Sequence, residues 1–155
     1  MPEVPVRVFI GLGSNLGDRM SFLRAGVAGL PDVVKVSPVY ETDPVGGPEH
    51  QEPYLNVVVE LHTGRSPSDL LSVAARLESE AGRTRTVRFG PRTLDVDILI
   101  YGDLSIDTPE LQIPHPRMWE RRFVLAPLAE IAPELLGDHT LEAAGGEVRR
   151  LIDWS

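Results

Sequence analysis

The chain has 155 residues, no cysteine and a formal net charge of -8. That length suits one domain with a real core, the missing cysteines exclude a disulfide framework and a thiolate metal site, and the acidic balance argues against a broad nucleic-acid surface. Met1, Pro2 and Glu3 open the chain without a basic n-region, and no apolar run nears the ~20 residues that span a bilayer, so a soluble cytoplasmic protein with no membrane partner is expected; a monomer is expected too, although nothing in these features bears on oligomeric state.

Val6 to Ile10 reads as a strand, with Val6, Val8 and Ile10 on one side. The stretch GLGSNLGDR, Gly11 to Arg19, then invites a dinucleotide fingerprint, but its third glycine would fall at Leu16, and no Gly-Lys-Ser/Thr ending completes a Walker pattern. The glycines are therefore expected to make a tight strand-to-helix turn, with Asp18 near the helix N-terminus. Met20, Leu23, Val27 and Leu30 recur at helical spacing until Pro31 stops them.

Val33 to Glu41 reads as the second strand. Thr42 to Pro53 is a loop rich in Pro and Gly, of a length that often binds or covers a ligand. Tyr54 to His62 alternates, with Leu55, Val57, Val59 and Leu61 on one face and Tyr54, Asn56, Glu60 and His62 on the other. Ser66 is placed to cap a helix that Pro67 and Asp69 favour, Leu70, Ala74, Leu77 and Ala81 line its buried side, and Gly82 ends it.

From Ala81 to Leu94 there is no acid, yet Arg83, Arg85, Arg88 and Arg92 crowd together, and Arg117, Arg121 and Arg122 form a second group. Of fifteen basic residues only Lys35 is lysine. A compact positive loop in an acidic chain suggests a small, highly charged anion, because the planar arginine fork pairs bidentately with phosphate.

The arginine stretch runs straight into a strand, Leu94 to Tyr101. Residues two apart share a side, so Asp95 and Asp97 face one way and Val96, Ile98 and Ile100 the other. Adjacent carboxylates repel unless a cation neutralises them; oxygen ligands suit Mg²⁺, and such a pair can hold two ions ~3.5–4 Å apart, as on transferring phosphoryl groups. Alone, Asp-x-Asp is more often a solvated strand end; the neighbouring arginines supply the context for a site.

Gly102 and Asp103 turn the chain into a hairpin arm, Leu104 to Ile106, and Pro114-His115-Pro116 must be extended. Phe123, Val124, Leu125, Leu128 and Ile131 suggest a short amphipathic helix ended by Pro133, and Leu141, Val148, Leu151 and Trp154 a final docked helix. The order is that of an α+β, ferredoxin-like βαββαβ core with an added hairpin arm and C-terminal helices, one domain over 1–155. With the helices covering Val57, Val59, Val96, Ile98 and Ile100, the open opposite face carries Asp95, Asp97, Tyr54 and Asn56, partly roofed by the C-terminal segments and the long loop.

Arg-Phe-Gly-Pro-Arg-Thr-Leu-Asp-Val-Asp-Ile-Leu, positions 88 to 99, closely resembles the signature of the hydroxymethyl-dihydropterin pyrophosphokinase family of folate biosynthesis. Agreeing segments span nearly the whole chain: Gly-Ser-Asn-Leu-Gly at 13 to 17, Tyr40 and Thr42 before the Pro/Gly loop, Tyr-Leu-Asn at 54 to 56, Gly-Arg-x-Arg at 82 to 85, Pro-His at 114 to 115, Arg121 with Phe123, and Pro-Leu-x-Glu-Ile-Ala-Pro-Glu at 127 to 134. The resemblance implies an ATP-dependent pyrophosphokinase that gives AMP and a pterin diphosphate, with ATP as co-substrate and two Mg²⁺ held by Asp95 and Asp97. It further implies catalytic roles for Arg83, Arg92, Asp95 and Asp97, and nucleotide contacts from Glu78, Arg85, Arg92, Ile98, His115 and Arg121. The pterin would lie between Phe89 and Phe123, with Asn56 on its amide edge and Thr42, Pro44, Val45, Tyr54 and Asp95 around it. Phe89 stands where the family often has Trp, and Pro116 where it often has Tyr.

An RNA-binding module has the same element order, but YLNVVVEL offers only Tyr54 where exposed aromatics would be needed. A regulatory domain would leave Asp95, Asp97 and the arginines without a task. Another two-metal nucleotidyl or phosphoryl transferase is the nearest enzymatic rival.

Overall fold

A computed structural model describes residues 4–42, 53–82, 93–137, 144–145 and 148–154. The first strand, β1 (Val6–Ser14), runs on through Gly11 and Gly13 instead of ending at Ile10. The turn expected at those glycines comes after them, where Gly17 takes φ +74°, a left-handed conformation that suits glycine. Asp18 then caps α1 (Arg19–Gly29) by accepting the Ser21 N–H at 3.1 Å, a contact typically worth ~1 kcal/mol.

The expected strand from Val33 to Glu41 is two strands, β2 (Val33–Val36) and β3 (Val39–Thr42). Pro38 cannot donate to a ladder, and the buried Ser37 takes over the pairing at the break. Its N–H donates to the Val58 carbonyl and its Oγ accepts the Val58 N–H, both at 2.9 Å. Val58 belongs to β4 (Tyr54–Thr63), which pairs with β1 on one side and with β2 and β3 on the other.

α2 (Pro67–Glu80) follows, with Ser66 accepting the Asp69 N–H at 3.1 Å and Gly82, φ +72°, just past its end. Its buried side is Leu70, Val73, Ala74 and Leu77; Ala81 only edges the core. β5 (Asp95–Tyr101) completes a sheet of order β5, β1, β4, β3 and a last strand, β8 (Val148–Ile152), with every neighbouring pair antiparallel.

That last strand replaces the expected final helix. The free edge of β3 offers backbone partners that local spacing does not encode, and Arg149 donates twice to Glu41 of β3, at 3.1 and 3.2 Å. The described helical structure after residue 117 is α3 (Arg122–Ile131) and two 3-10 turns, Met118–Glu120 and Pro133–Leu136. The hairpin arm pairs not with β5 but within itself, β6 (Ile106–Asp107) on β7 (Gln112–Ile113).

β5 departs from simple alternation. Phe9 pairs with Ile100 and Ile10 with Ile98, so Leu99 is an extra residue, a β-bulge. Val96, Ile98 and Tyr101 therefore enter the core under α1 and α2, while Leu99 and Ile100 both serve the other face; Ile100 leaves the stripe that alternation assigns to it. That other face is not open along its length. Phe9, Val58 and Leu99 form a second core with Met118, Val124, Leu125 and Leu128. Among the described residues no helix is long and apolar enough to cross a membrane.

Candidate active site

Beyond the second core, the face under α3 keeps a polar end. There Asp95 stands opposite Gly13 and Asp97 opposite Gly11, while Gly13 on its other side stands opposite Asn56, and Asn56 opposite Tyr40. Cross-strand partners share a face, so Tyr40, Asn56, Gly13 and Asp95 form one row across four strands. The two glycines leave the middle of this floor without side chains. A Cβ on Gly13 would sit 3.4 Å from Tyr54 Cδ1 and 3.7 Å from the Asn56 amide atoms; one on Gly11 would meet Leu99 at 3.4 Å. The Gly-x-Gly is thus a bare strip of sheet and not a phosphate-binding turn. Its spacing of two, which puts both glycines on one strand face, was the signal for this role.

Asn56 is only 5% exposed, and its Nδ2 has no hydrogen-bond partner among the described residues. A buried donor left unpaired costs ~1–3 kcal/mol, so this amide is suited to a ligand atom that accepts. Thr42, also buried, pairs across the strands with Tyr54. These two stand at the same sheet end as Asn56.

The bulge sets the opposite wall. The extra residue Leu99 accepts the His115 N–H through its carbonyl at 2.8 Å, which draws the Pro-His-Pro segment against β5; the Ile113–Pro114 bond within it is cis. His115 Nδ1 accepts the Arg117 N–H at 3.3 Å. Burial lowers the His115 pKa, Asp97 works against that, and Arg121 and Arg117 reinforce it. Burial and then Arg117 also pull Arg121 below its ordinary value, against the attraction of Asp97, Glu120 and Asp95. Asp95, Asp97, His115, Arg117 and Arg121 are therefore within one field. The Arg121 guanidinium lies 5.4 Å from the centre of the Phe123 ring, and Phe123 is half-buried against the second core.

Glu78, at the end of α2, accepts the Val96 N–H through Oε2 at 2.9 Å, holding the backbone between the two aspartates. The Ile98 side chain, 4% exposed, is in the core under α1 and α2, so only its backbone is on offer to a nucleotide. Pro44, Val45, Arg83, Arg85, Arg88, Phe89 and Arg92 lie outside the described residues.

Two further residues bear on the site. Arg117 adds charge beside His115, and the Tyr40 hydroxyl donates to Glu130 Oε2 at 2.6 Å, tying α3 to the floor row. Among the described residues no three acids or histidines gather as a complete metal cage. The half-buried Asp95 and exposed Asp97 nevertheless fit Mg²⁺, which commonly takes one or two carboxylates and fills its remaining positions with substrate phosphates and water.

Floor and walls together define a small enzyme of mixed α/β build, its acids and cations set for a polyanionic substrate. The family model for 7,8-dihydro-6-hydroxymethylpterin-pyrophosphokinase matches residues 9–133. The chain is 52% identical over 132 residues to 2-amino-4-hydroxy-6-hydroxymethyldihydropteridine pyrophosphokinase of Bacillus subtilis, covering 82% of this chain and 78% of that one. The Pseudomonas aeruginosa protein of the same name is 45% identical over 134 residues, 83% of this chain and 82% of its own. A solved Plasmodium falciparum HPPK-DHPS triple mutant superposes with TM-score 0.67 at 14% identity over 89% of this chain, which spans 42% of that longer protein, and so shares its fold. The chain belongs to the 7,8-dihydro-6-hydroxymethylpterin-pyrophosphokinase family. Its reaction is pyrophosphoryl transfer from ATP to hydroxymethyldihydropterin in folate synthesis.

Proposed function

We propose that this chain performs the transfer on the glycine-floored end of the sheet, with the pterin over Asn56 and the triphosphate between Asp95, Asp97, His115 and Arg121. The observation that carries the reading is the row in which Asn56, whose Nδ2 has no partner among the described residues, and Asp95 flank Gly13. An amide offers a donor and an acceptor side by side, which matches the edge of a pterin ring. Thr42 and Tyr54 form the wall beside it, and Phe123 supplies a flat apolar surface for stacking.

In the reaction the hydroxymethyl oxygen attacks the β-phosphorus of ATP, the bond from that phosphorus to the α,β-bridging oxygen breaks, AMP leaves, and the hydroxyl proton is released. Asp95 and Asp97 would hold two Mg²⁺, which when bound neutralise the triphosphate and lower the pKa of the attacking hydroxyl. His115 and Arg121 fix nucleotide phosphates, Arg121 through charge-assisted bonds. Glu78 and the Ile98 backbone contribute on the nucleotide side. Arg83, Arg85 and Arg92 are assigned to charge on the moving and leaving groups, and Pro44, Val45 and Phe89 to the pterin pocket, from their positions in the signature segments.

We also infer a ferredoxin-like core, supported by the antiparallel order β5, β1, β4, β3 with β2 beside β4, and a cytoplasmic monomer acting on small molecules without nucleic acid or membrane. Incubation with ATP, Mg²⁺ and hydroxymethyldihydropterin is expected to yield AMP and the pterin diphosphate one to one. Asn56→Ala is expected to weaken pterin binding at unchanged ATP affinity. Unchanged pterin affinity in that variant would overturn the placement of the pterin.

A further inference from the structure

On the helix side of the sheet, behind the floor just described, one side chain joins the two strand ends that border the proposed pterin pocket. Arg19, the first residue of α1, directs Nη1 to the Pro53 carbonyl at 2.8 Å and to Glu41 Oε2 at 3.5 Å. Glu41 is the penultimate residue of β3, and Pro53 immediately precedes β4. Their chain neighbours Thr42 and Tyr54 are cross-strand partners and stand on the opposite, floor side. Alternation explains the division: Glu41 pairs with Leu55, whose side chain is in the core under α1 and α2, so Glu41 points back toward Arg19 while Thr42 and Tyr54 point forward.

The contact is not a loose surface pair. The Arg19 and Glu41 side chains are 25% and 22% exposed, and the other Glu41 oxygen accepts from Arg149 Nε and Nη2 of β8. Three elements, α1, β3 and β8, and the residue before β4 thus converge on Glu41 and Arg19. The paired strand ends lie at the limit of the β3–β4 ladder, where backbone pairing alone holds least firmly. A charge-assisted bond from a guanidinium to a main-chain carbonyl is the type that fixes such an end.

We propose that Arg19 is a positioning residue for the pterin, a clip that holds Glu41 and Pro53 together from behind so that Thr42 and Tyr54 keep their spacing. The inference rests on the pterin placement above and extends it to a residue on the far side of the sheet. Arg19 touches none of Asp95, Asp97, His115 or Arg121 in its described contacts, so the clip acts on the pterin end and leaves the phosphate end alone.

The test uses Arg19→Met, which keeps the stem and helix propensity but removes every donor, and Arg19→Lys, which restores one compact charge. Arg19→Met is expected to raise the pterin Kd, measured on enzyme saturated with a non-hydrolysable ATP analogue, and the pterin KM, measured in turnover with ATP, each about tenfold, with the analogue's own Kd and the kcat at saturating pterin within about twofold of the parent. Arg19→Lys should recover part of the loss. Unchanged pterin affinity in Arg19→Met, or pterin and analogue weakened alike, overturns the clip. Asn56→Ala measured in parallel separates the two claims. If Asn56→Ala loses pterin affinity and Arg19→Met does not, only the clip fails; if Asn56→Ala is also unchanged, the pterin placement fails and the clip with it.

Discussion

Glu78 accepts the backbone N–H of Val96 at 2.9 Å, so a carboxylate from the end of α2 grips β5 midway between Asp95 and Asp97. β5 is an edge strand, and this N–H would otherwise have no partner in a ladder. Glu78→Ala is expected to lower unfolding stability by ~1–3 kcal/mol, the cost of stranding a buried donor, and to reduce kcat/KM for ATP. Glu78→Gln keeps an oxygen acceptor and should keep most of the stability. Equal midpoints for the two variants in urea would show that the charge, not the bond, matters.

Asp97 is exposed, and no core contact depends on it. Asp97→Ala should therefore unfold at the parental temperature while losing at least about a hundredfold in turnover, the scale of removing a central electrostatic group. Near-parental rates at saturating Mg²⁺ would remove Asp97 from the metal-binding pair.

Gly13→Ala separates folding from activity in the opposite direction. Its Cβ would lie at ordinary contact distances from Tyr54 and Asn56, and alanine restricts the unfolded chain more than glycine does, so thermal stability should hold or rise slightly. The methyl group nevertheless enters the floor between Asn56 and Asp95, and the pterin KM should increase several-fold. A variant with parental KM would mean that the ligand does not use this strip.

The Tyr40 phenol, pushed up to about 12 chiefly by burial and then by its bond to Glu130, predicts an alkaline limit. Between the ordinary value of 10.0 and about 12 the unfolded chain has given up this proton while the folded chain keeps it. The contribution is thus complete below pH 10 and is lost as pH rises through the folded value. At the acid end, Glu130 is held below its ordinary range chiefly by the Tyr40 bond, with Arg150 helping, so its contribution disappears as pH falls through that lowered value. Tyr40→Phe should remove the high-pH phenolate transition in ultraviolet difference spectra and flatten both limbs of stability against pH. Persistence of that transition would assign it to another tyrosine.

Local periodicity made much of the fold legible. The Ser66-Pro67 start of α2, the Asp18 cap of α1 and the alternation of Tyr54 to His62 are visible because each depends on neighbours within a few residues. What escaped depends on distant partners. Ser37 can stand at the break beside Pro38 because Val58 exchanges hydrogen bonds with it; residues 148–152 become a strand only because β3 has a free edge; and no local pattern announces Leu99 as a bulge. At the site, the placement of Asp95 and Asp97 on one face follows from alternation. The approach of His115 does not, because it hangs on the carbonyl of that extra residue.

The bulge at Leu99 also divides β5 into two reading frames. Asp95 and Asp97 are set in the first, against Gly13 and Gly11, and Tyr101 is set in the second, where its hydroxyl donates to the Arg65 carbonyl at 2.6 Å and moors the strand's end. A one-residue deletion at Leu99 would bring both halves into a single frame. Asp95, Asp97 and Tyr101 would keep their faces, but the carbonyl that holds the His115 N–H, and the Leu99 side chain in the second core, would be lost. The strand therefore tolerates changes of side chain at this point far better than a change of length.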